Sequence, residues 1–508
     1  MAAQQQPLDA FSTEHLHADL KGRSVRGGVL TISSQGAQHL ILTVATVVLA
    51  RLLTPADFGL VAMVTAITGL GQAFADLGLS EATIQQPSIT HQQVSTLFWI
   101  NVAIGIVLMS ITAALAPVLA WFYRDLRITN VTLVVSITFV IGGLRVQHDA
   151  LLKRQMRFLS LGMRDVCASI VGVSIAITLA WRGAGYWALV FFPLTTNLAG
   201  MLLTVALANW MPGLPRRDSK VRSLIGFGGN VAASYLINTV ISSADNVLVG
   251  WYLGAGPLGL YSRAYNLLTR PAILIRLPVG AVAIPAFSRL QEDPERLARY
   301  YLRTVNLIMW MSAPIFGFLF VAASPVIVLV LGNRWQQAAP VFQILSICSL
   351  GQMLFNSTVW LFVSCGQSRR LLKMTLILSP IIVGSYAIGL PFGIKGVALS
   401  GSVVLLASLP WIVMSSFRGT NLNLKRLGQA IVCPVSTCLA SVGLAELAIH
   451  LIAPRSICLQ LLVAALSCTM GYLLSLLIPQ VRREVALLKS LIDTFRSGSS
   501  PNVVESVV

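Results

Sequence analysis

Charged residues are scarce in this sequence. Asp, Glu, Lys and Arg make up 11% of the 508 residues, whereas hydrophobic residues make up 56% and the mean hydropathy is +0.78. A soluble globule of this length needs far more charge to cover its surface. The composition therefore excludes a soluble globular protein and indicates an integral membrane protein.

Signatures of bound metals and cofactors are also missing. The seven cysteines fall within or at the ends of apolar runs, without the spacing of a metal site or of a disulfide framework. The chain has no GxxxxGK nucleotide-binding loop and no polar stretch long enough to house an ATPase domain. We therefore expect no metal, no cofactor and no nucleotide hydrolysis.

Long apolar runs recur from one end of the chain to the other. A bilayer core of roughly 30 Å is crossed by about 20 apolar helical residues, and these runs are too long, and too uniformly apolar, to be barrel strands. We predict an all-α polytopic membrane protein with fourteen transmembrane helices. The predicted spans are 28–50, 57–79, 96–120, 129–147, 165–181, 185–207, 225–250, 264–287, 304–331, 339–363, 372–391, 396–417, 427–451 and 456–479.

The basic residues are distributed by loop. Lys and Arg number 36 against 18 Asp and Glu, which gives a formal net charge of +18, and they collect at both termini and in every second loop. By the positive-inside rule these segments are cytoplasmic. One cytoplasmic loop, near residues 80–95, departs from the rule, because it contains Glu81 and no Lys or Arg. The charge thus reflects membrane topology, and we expect no nucleic-acid partner.

Two copies of one hairpin divide the chain. The stretch ARLLTPADFGLVAM (residues 50–63) returns as GWYLGAGPLGLYSR (residues 250–263), and the register of 200 positions extends through the preceding helix. In the first copy, Thr54, Pro55 and Asp57 have the spacing of a helix cap. The seventh span lies six helices after the first, so both cross the membrane in the same direction. We expect two six-helix lobes related by a pseudo-twofold axis along the membrane normal, followed by two C-terminal helices.

The spans define the expected segments of the chain. They are a cytoplasmic segment at 1–27, an N-lobe at 28–207, an inter-lobe linker at 208–224, a C-lobe at 225–417, spans 13 and 14 at 418–480, and a cytoplasmic amphipathic helix with a disordered tail at 481–508. Residues 1–27 lack the apolar core and cleavage site of a signal peptide, so we expect the first span to direct insertion. Asp293 and Pro294 predict the start of a further cytoplasmic helix. The C-terminal helix either lies on the leaflet or packs under the bundle.

Span 7 carries a polar residue at every fourth position. These residues are Asn230, Ser234, Asn238, Ser242 and Asn246, and span 1 has polar residues at matching positions, with Gln38 among them. Such a stripe either joins helices through hydrogen bonds or forms a water-filled wall that presents donors and acceptors to a hydroxyl-rich cargo. Its length and its recurrence in both copies favour the wall.

Span 8 carries the residues that are costliest in a membrane. Arg270 and Arg276 lie inside its apolar run, where an arginine near mid-bilayer costs about 2.5–3.5 kcal/mol. They need an anion or an aqueous cavity, and the paired donors of a guanidinium suit a diphosphate. Alternatively, Asp245 in span 7 forms a salt bridge with one of them. Prolines at positions 271, 278 and 285 predict that this helix is bent or broken.

A family resemblance rests on seven stretches in a specific order. They are ARLLTPADFGLVAM, FADLGLSEATIQQ, STLFWINV, LAPVLAWFY, DNVLVGWYLGAGPLGLYSRAYNL, IPAFSRLQEDPERLARYY and LGNRWQQAAPVFQIL. Together they resemble the polysaccharide transporter branch of the multidrug/oligosaccharidyl-lipid/polysaccharide (MOP) exporters, especially Wzx-type flippases and colanic-acid-type exporters, over roughly residues 20–480.

The resemblance implies a function and partners. Members of this branch flip undecaprenyl-diphosphate-linked oligosaccharide repeat units across the bacterial inner membrane by alternating access, for exopolysaccharide or lipopolysaccharide biosynthesis. The implied partners are that lipid-linked sugar, the bilayer, a polysaccharide polymerase and chain-length or export proteins. We predict that Arg270 and Arg276 hold phosphate or acidic sugar, and that Gln38, Asn238 and Ser242 line the sugar path.

Two other functions remain open from the sequence. One is a cation-coupled small-molecule exporter of the multidrug type, in which Asp245 or Asp76 binds a proton or a sodium ion. The other is a membrane scaffold for a polysaccharide synthase, in which the polar stripe is dry packing. The predicted outer turns contain almost no acids besides Asp57 and Asp125, so we expect no enzymatic activity.

Overall fold

The computed structural model describes residues 20–72, 79–86, 89–215, 243–417, 422–454, 456–479 and 481–482. This part of the chain is helical apart from short connections and has no β-strand. The first half contains α1 (Leu20–Leu52), α2 (Pro55–Gln72), α3 (Leu79–Gln85), α4 (His91–Tyr123), α5 (Arg127–Arg154), α6 (Phe158–Trp181), α7 (Trp187–Ala208) and α8 (residues 243–253). The second half contains α9 (Ala255–Arg289), α10 (Pro294–Val321), α11 (Ala323–Leu331), α12 (Ala339–Ser364), α13 (Ser368–Gly389), α14 (Gly393–Ser416), α15 (Leu424–Ile452) and α16 (Ile457–Ser475).

Most of the predicted spans are present as helices. Ten stretches among the described residues are long and apolar enough to cross a bilayer, with α13 and α14 taken together as one of them. They correspond to predicted spans 3–6 and 8–14, while α1 and α2 fall on spans 1 and 2. Most of span 7 and of the predicted C-terminal amphipathic helix lies outside the described residues. The chain is therefore an all-α, multi-pass membrane protein.

Contacts divide the chain into two compact units, Met1–Gly259 and Leu260–Val508. In the first unit, α4 packs along α5, α6 along α7, and α1 against α6. The contact between α4 and α5 depends on two glycines, because a Cβ at Gly143 would lie 2.5 Å from the Asn101 carbonyl oxygen and one at Gly105 would lie 2.6 Å from that of Phe139. Small residues let membrane helices approach this closely, and van der Waals contact then replaces contact with lipid.

The first hairpin has the predicted helix cap. The Thr54 amide donates to Asp57 Oδ2 (2.9 Å), the Thr54 hydroxyl donates to the same oxygen (2.6 Å), and the Asp57 amide donates to Thr54 Oγ1 (3.3 Å). These bonds pair the otherwise free amides at the start of α2. The prediction of a capping role for Asp57 is confirmed.

An arginine from α5 contacts the loop that departs from the positive-inside rule. Arg154, at the end of α5, is 6% exposed, and its Nη1 donates to the carbonyl oxygens of Thr83 (3.0 Å) and Ile84 (3.4 Å) in α3. Cations favour the C-terminal end of a helix, where carbonyl groups lack intrahelical partners. Residues 80–95 contain no Lys or Arg, and Arg154 therefore places a positive charge beside them through its contacts with α3.

We expect Arg154→Ala to loosen α3. The variant leaves buried carbonyl groups without their charged donor, at a cost of about 1.5–3 kcal/mol. Hydrogen exchange in residues 79–86 should accelerate accordingly, while Lys153→Ala, which alters the exposed neighbouring residue, should leave it unchanged. Equal exchange in the two variants would contradict the capping role.

The start of the predicted linker is bound to α4. The indole nitrogen of Trp210 contacts His91 Nδ1 (3.0 Å), the Gly213 amide donates to Ser95 Oγ (2.9 Å), and the indole of Trp99 donates to the Gly213 carbonyl oxygen (2.9 Å). His91, Ser95 and Trp99 are four residues apart, so they form one stripe along α4. Residues 210–213 are thus part of the first unit.

Exposed aromatic residues lie near several helix ends in the first unit. Trp121, Trp181, Trp251 and Tyr252 lie near the C-terminal ends of α4, α6 and α8 and are 79%, 80%, 45% and 54% exposed. All these ends are predicted to face the outer side. Exposed Trp and Tyr near helix ends are typical of both membrane–water interfaces, so these residues agree with a membrane boundary there, and the orientation stays a prediction.

In the second unit, α10 packs against α12 and α15, α14 against α12 and α13, and α15 against α16. The helix predicted to begin at Asp293 is present, since the Arg296 amide donates to Asp293 Oδ1 (3.0 Å) and Pro294 occupies the first turn. The prediction that it is a separate cytoplasmic helix is wrong. It continues without interruption into the ninth span, and that span divides at Ala322 into α10 and α11.

Candidate functional site

The candidate site is the arginine-bearing helix α9. It runs for 35 residues through three internal prolines. Of the two predicted alternatives, a broken helix is therefore wrong, and a bent helix stays a prediction. The prolines recur every seven residues and therefore lie on one face. A membrane helix tolerates prolines where neighbouring groups or local adjustments satisfy the freed carbonyls. The helix thus holds its arginines in one continuous element.

The arginines of α9 differ in exposure. Arg263 is partly buried, with its Nε atom shielded from solvent, whereas Arg270 is exposed and Arg276 is half-buried. Arg263 and Arg270 are seven residues apart and so share one helical face. Two like charges on one face of an apolar helix favour a bound anion, because an anion between them offsets their repulsion.

Arg276 has a partner that the sequence pattern did not predict. Its Nη1 donates to Asn356 Oδ1 on α12 at 3.4 Å, and Asn356 in turn donates from Nδ2 to the Gln352 carbonyl oxygen (2.7 Å). Nearby, Gly280 allows α9 to approach Trp360 of α12. Asn356 therefore orients one edge of the guanidinium group and leaves other donors for a ligand. The sequence offered one clue to this contact, because Asn356 is an amide residue inside the apolar run of predicted span 10.

The seam between α9 and α12 combines polar and apolar residues. Thr269 and Gln352 are among the residues that line a cavity of about 20 Å³ there. That volume is about what a single water molecule needs. The polar character of this face of α9 therefore extends beyond its arginines.

The structure places Gln38 against α6. Its Nε2 donates to Ser169 Oγ at 3.1 Å, and Ser34, one turn earlier, lies opposite Gly162. This is the interhelical hydrogen bond that the packing alternative describes. Gln38 is nevertheless half-exposed, and its place on a sugar path stays a prediction.

The remaining site predictions have different outcomes. Asp245 is 5% exposed in α8, and its Oδ1 accepts a hydrogen bond from the Asn246 amide (2.7 Å). Its predicted pairing with an arginine of span 8, and its predicted role in ion coupling, stay predictions. Asn238, Ser242 and Asp76 lie outside the described residues.

A network of four charged residues in the first unit was not predicted from the sequence. Arg164 is 5% exposed, and its guanidinium group bonds to Asp149, to Asp165 Oδ1 (2.6 Å) and to Thr204 Oγ1 (3.1 Å). Arg145 adds a bond from Nε to Asp149 Oδ2 (2.9 Å). The network joins α5, α6 and α7. Arg145 and Arg164 were interpreted only as topology signals, and Asp149, four residues after Arg145, was the clue to their pairing.

The two outer acids have structural partners. Asp57 caps α2, and Asp125 accepts hydrogen bonds from the backbone amide (3.0 Å) and the Nη2 atom (2.7 Å) of Arg127. The Arg127 side chain holds the pKa of the Asp125 carboxyl group below its usual range. Both carboxylates thus stabilise the turns that contain them.

The fold and the site together define a class of protein. Arginines held within an apolar helix of an all-α, multi-pass bundle are typical of a membrane transporter for anionic or polar cargo. The family described as "Polysaccharide biosynthesis protein" matches residues 48–340, which is more than half of the chain. The chain belongs to this family, and its resemblance to the polysaccharide transporter branch of the MOP exporters is confirmed.

Named proteins agree with this assignment. The chain is 25% identical over 315 residues to the lipopolysaccharide biosynthesis protein WzxC of Escherichia coli (strain K12), covering 61% of this chain and 63% of that protein. It is 26% identical over 360 residues to the succinoglycan biosynthesis transport protein ExoT of Rhizobium meliloti (strain 1021), covering 70% and 71%. The chain spans about three fifths of the length of the first curated relatives that it matches.

A solved structure shares the fold. The lipid II flippase MurJ, in an inward closed conformation, superposes with a TM-score of 0.67 at 12% identity, covering 87% of this chain and 98% of that one. At this identity the likeness concerns the fold alone.

Proposed function

We propose that this protein is a flippase that moves undecaprenyl-diphosphate-linked oligosaccharide units across the bacterial inner membrane, for exopolysaccharide or lipopolysaccharide synthesis. The observation that carries the proposal is the pair of arginines, Arg270 and Arg276, held in the apolar helix α9. The family and the names of WzxC and ExoT support the polysaccharide pathway. No covalent bond is made or broken in this function.

The chemistry of the cargo requires such a protein. An oligosaccharide on a diphosphate carries hydroxyl groups and charges that hydrocarbon does not solvate, whereas its polyprenyl tail is soluble in the bilayer. The protein must therefore offer a polar interior to the headgroup only. Arg270, which is exposed, and Arg276, which Asn356 orients, supply donors for phosphate or acidic sugar.

The rest of the path follows the polar stripe. We propose that Gln38, Asn238 and Ser242 present donors and acceptors to sugar hydroxyl groups, and that lobes at residues 28–207 and 225–417 alternate access to the two sides. We also propose that both termini lie in the cytoplasm, as the distribution of Lys and Arg predicts. A polysaccharide polymerase and chain-length or export proteins then receive the unit on the outer side.

A second candidate function rests on Asp245. A carboxylate that is 5% exposed within a membrane helix is a typical site for a coupling proton or sodium ion. In a cation-coupled small-molecule exporter, Asp245 is essential and neutral substitutions of the α9 arginines are tolerated.

We expect deletion of the gene to make lipid-linked oligosaccharide accumulate on the cytoplasmic leaflet. The lipid is extracted and quantified, and its leaflet is assigned by digestion with a membrane-impermeant glycosidase, applied to intact spheroplasts and to inverted vesicles. The matched control is the deletion strain complemented with the wild-type gene. Protection in spheroplasts and digestion in inverted vesicles support the flippase. A normal level of lipid-linked oligosaccharide in the deletion strain, together with increased sensitivity to small toxic compounds, would contradict the flippase and favour the small-molecule exporter.

A further inference from the structure

The two copies of the hairpin touch each other through glycines. A Cβ added at Gly59 would overlap the carbonyl oxygen of Ala255, and one added at Gly259 would overlap the carbonyl oxygen of Pro55. All four residues belong to the first compact unit, which ends at Gly259. The first turn of α2 therefore lies directly against the first turn of α9, backbone to backbone.

This contact is reciprocal in the repeat. Gly59 corresponds to Gly259 and Pro55 to Ala255 in the register of 200 positions. In each copy, the glycine lies against the backbone carbonyl group of the other copy that is four residues before the other glycine. An isologous contact of this kind forms where a symmetry axis passes through matching surfaces. The spacing of four residues is also the small-xxx-small pattern by which membrane helices approach closely.

The side chains beside the contact are apolar and buried. Phe58, Leu60 and Leu258 are 2%, 0% and 0% exposed beside it. The polar groups of the first hairpin bond within that hairpin, through Thr54 and Asp57. In the second hairpin, the Gly254 and Leu258 amides donate to carbonyl groups of the same segment. Separation of the two turns therefore leaves these named polar groups paired.

We propose that Gly59 and Gly259 form the seal at the outer end of the transport path, and that this contact opens and re-forms in each cycle. The inference rests on the proposed function, which it deepens by assigning an outer gate. The outer position follows from the charge pattern, which places both hairpin turns on the side opposite the basic loops. Backbone contact between symmetric turns lets the seal close fully, whereas any side chain at either glycine holds the turns apart.

The test is a pair of wedge variants, Gly59→Leu and Gly259→Leu, each with a matched control. Gly69 on α2 and Gly256 on α9 have nothing within 4 Å of an added Cβ, so Gly69→Leu and Gly256→Leu add the same side chain without a wedge. The reporter is Asn266→Cys, an exposed position on α9 about 10 Å beyond Gly259. A membrane-impermeant thiosulfonate labels it in spheroplasts, in a background without native cysteines.

We expect both wedge variants to raise the outer labelling rate at least about tenfold, because an open state that is populated at about 0.1–10% becomes the main one. The two should behave alike, because the contact is reciprocal, and export should fall in both. Both controls should label and export like the parent. Where a leucine variant does not reach the membrane, Gly59→Ala and Gly259→Ala replace it, since one methyl group already overlaps the partner carbonyl.

Two results would overturn the gate. One is unchanged outer labelling in folded wedge variants, which would make the contact permanent packing. The other is an equal rise in the control variants. Failure of the proposed function is seen separately, in the parent gene, as a normal level of lipid-linked sugar after deletion. The labelling assay does not depend on the cargo, so it tests the outer gate whether or not the protein transports lipid-linked sugar.

Discussion

The double variant Arg270→Ala, Arg276→Ala should lose polysaccharide export almost completely. A hydrogen bond to a charged group contributes about 1.5–3 kcal/mol. Removal of both guanidinium groups from an anionic cargo therefore lowers the transport rate about 100-fold or more. The expected phenotype is that of the gene deletion: lipid-linked oligosaccharide on the cytoplasmic leaflet and little exported polymer. Polymer is measured in a complementation assay at matched protein levels.

Two further variants make this result specific. Arg289→Ala removes an exposed arginine from the last turn of the same helix and should export normally. Arg270→Lys keeps the charge but loses the paired donors, so its export should lie between those of the parent and the double variant. Full export by a normally expressed double variant would refute the anion site and make Asp245 the residue to test.

Arg164→Ala should destabilise the protein more than Arg154→Ala or Arg127→Ala. It removes the residue that bonds to Asp149, Asp165 and Thr204 at once. Loss of one member of a buried ion network leaves an uncompensated buried charge and costs about 3–5 kcal/mol. The expected result is a lower melting temperature in detergent and a smaller monodisperse peak in size-exclusion chromatography.

The comparison variant is Arg127→Ala. Arg127 also pairs with an aspartate, Asp125, but its side chain is 52% exposed, and exposed pairs contribute about 0–1 kcal/mol. Combining Arg164→Gln with Asp149→Asn should recover part of the lost stability, because the excess negative charge that the loss of Arg164 leaves in the network is then removed as well. Equal melting temperatures for Arg164→Ala and Arg127→Ala would show that burial does not strengthen this network.

The basic residues show how far a local pattern reaches. Their placement in alternate loops predicted the topology, because that signal is a sum over many residues and needs no partner. The same pattern gave no reason to separate Arg154, which caps α3, or Arg164, which joins three helices, from the other basic residues of the alternate loops. Their roles depend on groups that lie far away in sequence, at positions 83–84 and 204.

The sequence by itself determined the membrane class, the positions of most helices, the cap on α2, the start of α10 and the family. These properties depend on hydropathy over about 20 residues or on contacts between residues three apart, and both are encoded locally. Only the tertiary structure decided that α9 runs unbroken through its prolines, that Asn356 meets Arg276, and that Gly59 lies against Ala255. The last two depend on which helices pack together, and one sequence does not reveal that because the contacting residues are 80 or more positions apart.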